Sequence, residues 1–284
     1  MTVASVDRER PAVRRSRRRT GHRAPVVIIV LAMIAMTFLV LPLVGLLVET
    51  PWSRLPELLT QPVTIEALRL SVITSLSAMV IAIVLGVPLA WVLARVRFPG
   101  RPVVRALVLL PLVLPPVVGG TALLSALGRR GIIGEPLESW TGITLPFTTA
   151  GVVIAEAFVA MPFLVLTVEG ALRGMDRRFE DAAVTLGASR WMVFSKVTLP
   201  LIAPGLIAGA LLAWARALGE FGATITFAGN FPGRTQTMPL AIYTLLETDR
   251  DAAIALSVVL LATCIAVLLV LRDQWLRPGG GGRR

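Results

Sequence analysis

Long apolar stretches separated by short polar segments dominate this chain. They run from Val26 to Val48 and from about Leu68 to Ala94, Val103 to Leu127, Ala150 to Leu172, Leu201 to Leu218 and Ala252 to Leu271. An apolar run of about 18 residues or more is long enough to cross bilayer hydrocarbon as a helix. The pattern therefore predicts an all-α, polytopic membrane protein with six transmembrane helices. The apolar region of a secretory signal is shorter, about 7–15 residues, and precedes a small-residue cleavage site. The first stretch is longer and ends in Val48-Glu49-Thr50-Pro51, so it reads as a retained helix.

Charge sets the expected orientation. Of 28 Lys and Arg, 21 fall in the tail 1–25, the turn 95–105, the loop 173–196 and the tail from Arg272 onward. The alternate loops hold only Arg54, Arg129, Arg130, Arg234 and Arg250, and Arg69 and Arg216 lie within spans. Basic residues gather on the cytoplasmic side of membrane proteins. Both termini are thus expected in the cytoplasm, consistent with an even number of spans. The domain plan is a basic cytoplasmic tail (1–25), a first helix (26–48), a transmembrane domain (62–272) and a second cytoplasmic tail (273–284).

Composition narrows the chemistry. The chain is 55% hydrophobic and only 16% charged, with a net charge of +11. The basic excess flanks the spans, where it meets anionic lipid, so nucleic acid is not an expected partner. The sole histidine, His22, lies in the basic tail, and no metal cluster is expected. A single cysteine, Cys264, allows no internal disulfide. The one lysine, Lys196, is followed by Val197 and lacks the glycines of a phosphate-binding loop. Any ATP must be used elsewhere.

The longest basic loop carries its own pattern. Asp176 is a candidate N-cap and Gly187 a candidate C-terminal stop. Between them Phe179, Ala182, Ala183 and Leu186 recur at helical spacing and form one apolar face. Such a helix can lie in a groove on a partner. It can equally cap the bundle, and the pattern alone does not choose.

Asp181-Ala182-Ala183, then Gly187, then Val197-x-Leu199-Pro200 resembles the E-A-A-x3-G-x9-I-x-L-P signature of permeases of ATP-binding-cassette importers. The spacing matches at every step; Asp181 stands where Glu is usual and Val197 where Ile is usual. The resemblance implies a type I importer permease fold. It makes the loop 173–200 a coupling segment that docks on separate ATPase subunits through Phe179, Glu180, Asp181, Ala182, Ala183, Leu186 and Gly187. ATP and Mg2+ would then belong to those partners, with no cofactor in this chain.

Three further stretches narrow the resemblance. Leu110–Gly119 is similar to molybdate and sulfate permeases. Gly128–Gly134 with Trp140-x-Gly142-Ile143 is similar to the molybdate branch, as is Ala215–Phe227 with Asn230-x-Pro232-Gly233-x-Thr235–Leu240. The similarity covers about residues 62–272. It implies a homodimeric permease for molybdate, with tungstate as a related cargo. A periplasmic-type or lipid-anchored oxyanion-binding protein would deliver it at a bacterial-type cytoplasmic membrane. A sulfate or thiosulfate permease is the rival within the class. A standalone secondary transporter or channel is the rival outside it, but no repeated halves are visible.

Candidate pathway residues are Pro115, Pro116, Gly119, Arg216, Glu220 and Thr224. Prolines and glycines in the third stretch break a helix at membrane depth, which is tolerated against protein or a wet cavity; a packing kink is the alternative. Arg216 and Glu220 are four apart and share a helix face, either as a structural pair or as a substrate contact. Glu156 sits within the fourth stretch without an evident partner, and the loop Gly229–Pro239 offers hydroxyl and backbone donors.

Overall fold

The computed structural model describes residues 25–275, with side chains through residue 269. The tails predicted for 1–25 and 273–284 fall almost wholly outside these residues. In chain order the helices are α1 (Val26–Glu49), α2 (Leu55–Leu59), α3 (Pro62–Arg95), α4 (Arg101–Val113), α5 (Pro116–Leu127), α6 (Gly134–Thr141) and α7 (Thr149–Gly174). They continue with α8 (Arg178–Thr185), α9 (Arg190–Val193), α10 (Leu199–Leu218), α11 (Gly222–Ala228), α12 (Met238–Thr248) and α13 (Arg250–Trp275). A π-turn, Phe194–Thr198, joins α9 to α10. No strand occurs among the described residues.

The chain divides into two units after Gly45, so most of α1 stands as a unit by itself. It carries no charge before its last residue, Glu49, and has Pro42 inside it. The second unit is the bundle, and α3, α7 and α10 form its centre. Along α3, Ala78, Ala82, Gly86 and Ala90 recur every fourth residue and are all buried. This stripe of small residues lets α7 approach closely, as membrane helices require when no hydrophobic force drives them together. A Cβ on Gly86 would meet Leu164 Cδ2 at 2.9 Å. On the other flank of α7, a Cβ on Gly205 of α10 would lie 2.6 Å from Ala171 Cβ. Leu164, Val165, Val168 and Leu172 of α7 fill the space between.

α3 and α7 run in the same direction. Their starts meet at one end, where Thr149 Oγ1 donates to the Arg234 carbonyl at 2.8 Å and Gly233 lies against Glu66. At the other end Arg95, the last residue of α3, meets Glu180 of α8, six residues beyond the end of α7. We call the latter the basic face and the former the far face. The chain between α3 and α7 must therefore cross once. It does so as a broken span: α4 lies beside the basic-face half of α7, and α5, after a 120° bend, beside the other half. Five further helices are long and apolar enough to cross a bilayer, so the six expected spans are present.

Three boundaries differ from expectation. Span two begins at Pro62 rather than near Leu68, so Arg69 sits two turns inside it rather than at its edge. The fifth span extends back through the π-turn to Arg190, and the basic loop is correspondingly shorter. Ser189 begins this segment by accepting from Met192 N at 3.3 Å. The wider turn accommodates Pro200, which has no N–H to offer a regular α-turn. Finally, α12 forms in the connection between spans five and six, held to α3 where Met238 N donates to Ser71 Oγ at 2.7 Å.

Candidate functional site

At the basic face, α8 stands apart from the spans. Its start is set by Asp176, whose Oδ1 accepts from Arg178 N at 3.0 Å, although Arg177 occupies the cap position. Its end is a Schellman turn: Gly187, at φ +84°, donates to Val184 O, and Ala188 donates to Ala183 O. Only glycine takes that left-handed conformation at little cost. The predicted apolar face is left largely uncovered by the described residues. Phe179 is 56% and Leu186 88% exposed, and Ala182 is exposed beside them.

Glu180 behaves differently from its neighbours. It turns inward, 3.2 Å from Arg95 Nη2 at the end of α3, and accepts from Thr198 Oγ1 in the π-turn at 2.7 Å. Glu180 thus ties α8 to spans two and five at once. Asp181 is exposed and makes no side-chain hydrogen bond or ion pair among the described residues. A second charge cluster lies just inside this face. Glu169 is buried and is shared by Arg173 at 2.6 Å and Arg105 at 3.4 Å. It joins α7 to α4. The i,i+4 spacing of Glu169 and Arg173 was its sequence signal.

The candidate pathway residues collect at two helix breaks that touch. Pro115 and Pro116 make the bend between α4 and α5. Gly222, at the start of α11, sits so close that a Cβ there would lie 2.5 Å from Pro116 Cβ. Of the paired glycines in α5, Gly119 faces Phe158 of α7, whereas Gly120 makes the close approach to α11, where a Cβ would lie 3.0 Å from Ala223 O. The sequence alone did not distinguish them. Glu220 is buried with both oxygens engaged: Oε2 with Arg216 Nη2 at 2.6 Å and Oε1 with Ala223 N at 2.7 Å. It fixes α10 to the first turn of α11. Thr224 Oγ1 donates to Phe221 O at 2.8 Å and is likewise occupied within the fold. Of this cluster the Arg216 side chain keeps 29% exposure.

Glu156 has a partner. Thr74 Oγ1 of α3 donates to its Oε1 at 3.0 Å, while Oε2 has no hydrogen-bond partner among the described residues. The neighbouring α3 hydroxyl, Ser75, accepts from Trp214 Nε1 at 3.0 Å, which gives the indole N–H of α10 a partner on α3. In the loop Gly229–Pro239, Thr235, Gln236 and Thr237 are buried rather than displayed. At the far face Glu66, Arg69, Thr149 and Gly233 border a cavity of about 360 Å3. Among the described residues no group of acidic, histidine and cysteine side chains could hold a metal ion.

Five bilayer-length helices, a sixth pass broken between α4 and α5, and a short helix held outside the bundle define a polytopic helical membrane protein. The family described as binding-protein-dependent transport system inner membrane component matches residues 82–278. The molybdenum transport system permease protein ModB of Mycobacterium tuberculosis is 51% identical over 242 residues, 84% of this chain and 90% of the relative. ModB of Escherichia coli K12 is 46% identical over 211 residues, 74% of this chain and 92% of the relative. The sulfate transport system permease protein CysT of E. coli K12 is 39% identical over 245 residues, covering 85% and 88%. Among solved structures, a bacterial importer of the polysaccharide alginate superposes with TM-score 0.70 at 18% identity, covering 89% of this chain and 96% of the other. The chain belongs to the family of inner-membrane components of binding-protein-dependent transport systems, the permease subunits of ATP-binding-cassette importers. It is a multi-pass membrane subunit of an ATP-driven transporter and not itself an enzyme.

Proposed function

We propose that this chain is the permease of a molybdate importer, with tungstate as a second cargo, working as a homodimer. Each copy would receive one ATPase subunit at α8, and an oxyanion-binding protein would dock at the far face. The basic face would lie in the cytoplasm with both termini, in keeping with the charge distribution along the sequence. Closure of the ATPases on ATP would push α8. Because Glu180 links α8 to α3 and to the π-turn, that push would be transmitted to spans two and five together. The broken span and α11 would then open or close the route for the anion, with Arg216 the accessible cation beside it.

The observation that carries this reading is α8 itself: an apolar face left bare on one side, with Glu180 anchored to two spans on the other. The cargo is drawn from the relatives, in which molybdenum permeases reach 51% identity and a sulfate permease 39%. The test is competition. In vesicles holding the chain, its ATPase and its binding protein, uptake of labelled molybdate should be suppressed by unlabelled molybdate or tungstate and little affected by sulfate. Equal competition by sulfate would overturn the molybdate assignment in favour of a sulfate permease.

A further inference from the structure

Two clefts at the basic face share a wall. The first, about 310 Å3, is apolar and runs along the end of α3, bounded by Pro88, Trp91, Val92, Trp191 and Phe194. The second, also about 310 Å3, lies under α8 and is lined by Arg95, Arg177, Arg190, Glu180 and Asp181 among others. Trp91, Arg190 and Phe194 border both, so the apolar cleft leads into the charged one.

The charged cleft carries three arginines against two carboxylates, and Glu180 is already held by Thr198. Arg95 is the telling residue. Its side chain is only 9% exposed, yet its Nε and Nη2 make no hydrogen bond of good geometry; Nη2 lies 3.2 Å from Glu180 Oε2 but off the donor line. A buried guanidinium with idle donors is costly and calls for an acceptor. Arg177 and Arg190 are exposed and free of carboxylate partners within salt-bridge distance among the described residues. The cleft also lies away from the bare apolar face of α8. Arg177, Glu180 and Val184 follow one another at helical spacing on one side of α8, opposite Phe179, Ala182, Ala183 and Leu186.

From this juxtaposition we infer that the paired clefts bind an anionic phospholipid. The phosphate sits among Arg95, Arg177 and Arg190, and an acyl chain lies in the apolar cleft against Trp91, Trp191 and Phe194. The chemistry matches at both ends. Guanidinium groups bind phosphate oxygens in a fork, and tryptophans at the level of the headgroups offer an apolar ring with a polar edge. Trp191 is 74% exposed and stacks at 5.7 Å from Phe194, which places an apolar wall where lipid would lie. A bound headgroup would bridge α3, α8 and α9, stiffening the connection between the docking helix and the spans.

The test uses the full chain extracted from membranes and supplied with dioleoylphosphatidylglycerol or dioleoylphosphatidylcholine, with retained lipid counted by native mass spectrometry. The glycerol lipid should be retained in preference to the choline lipid. Arg177→Gln and Arg190→Gln should each reduce that retention about fivefold, the factor one basic residue is worth near an anionic surface. Trp191→Ala should weaken retention of the lipid while leaving binding of soluble glycerol phosphate unchanged. Equal retention of the two lipids, or unchanged retention by the Arg177→Gln/Arg190→Gln double variant, would overturn the proposal. Full displacement of the lipid by inorganic phosphate would also overturn it, reducing the site to one for a free anion. Displacement by the ATPase would do so too, by assigning the cleft to that partner. A melting temperature in the choline lipid equal to that of the wild type confirms that each variant is folded.

Discussion

Glu180 of the docking helix faces Arg95 at the end of α3 across 3.2 Å and simultaneously accepts a hydrogen bond from Thr198 in the π-turn. One carboxylate thus connects a helix outside the bundle to two of its spans. Glu180→Gln keeps an acceptor for Thr198 but removes the charge opposite Arg95. Transport should fall severalfold while the ATPase still co-purifies in normal amount. Loss of the ATPase from Glu180→Gln would show that Glu180 is a docking contact instead.

The opposite face of α8 should behave in the reverse manner. Leu186→Asp alters a side chain that is 88% exposed. Its effect on the stability of the isolated subunit should stay within about 0.5 kcal/mol, as for other surface changes. Co-purification with the ATPase should be lost. Phe179→Asp should do the same, and retention of the ATPase by both variants would remove α8 from the interface.

At the contact between the broken span and α11, space is the limiting factor. A Cβ on Gly120 would lie 2.6 Å from Thr226 Cβ and 3.0 Å from Ala223 O. Both neighbours belong to helices and cannot withdraw easily. Gly120→Ala should cost about 1–3 kcal/mol through overpacking, whereas Gly119→Ala, which meets only the ring of Phe158 at 3.3 Å, should cost less. Thermal unfolding of the two variants in one detergent compares them directly.

Buried polar pairing gives a further test. Thr74→Val removes the donor to Glu156 and leaves a buried acceptor unpaired, which costs about 1–3 kcal/mol. Glu156→Gln preserves the acceptor for Thr74 and should be the milder change. A larger loss of thermal stability from Glu156→Gln than from Thr74→Val would show that the carboxylate is held by something other than Thr74.

The sequence was most legible where apolar length and charge carry the information. All six spans appear where the apolar runs lie, and Pro115-Pro116 marks the bend between α4 and α5, though not its 120° angle. Gly187 ends α8 as its position suggested, because a left-handed C-terminal turn is a local requirement. Long-range partners were not legible. Nothing near Glu180 in sequence points to Arg95, 85 positions away, and nothing near Glu156 points to Thr74. Short helices also escaped notice. α11 and α12 were not expected from the sequence, and they are held by contacts such as Glu220 with Ala223 N and Ser71 with Met238 N. Among the candidate pathway residues, Glu220 and Thr224 prove to be occupied within the fold, which leaves Arg216 as the partly exposed charge.

The central claim is that this chain moves molybdate only when α8 is engaged by an ATPase. The most direct measurement is uptake of labelled molybdate into proteoliposomes containing the chain, with the binding protein outside and ATP inside, in the presence and absence of the ATPase. The account predicts uptake with the ATPase present, none without it, and none with Leu186→Asp. Uptake by the chain alone would contradict the account and make it a self-sufficient carrier.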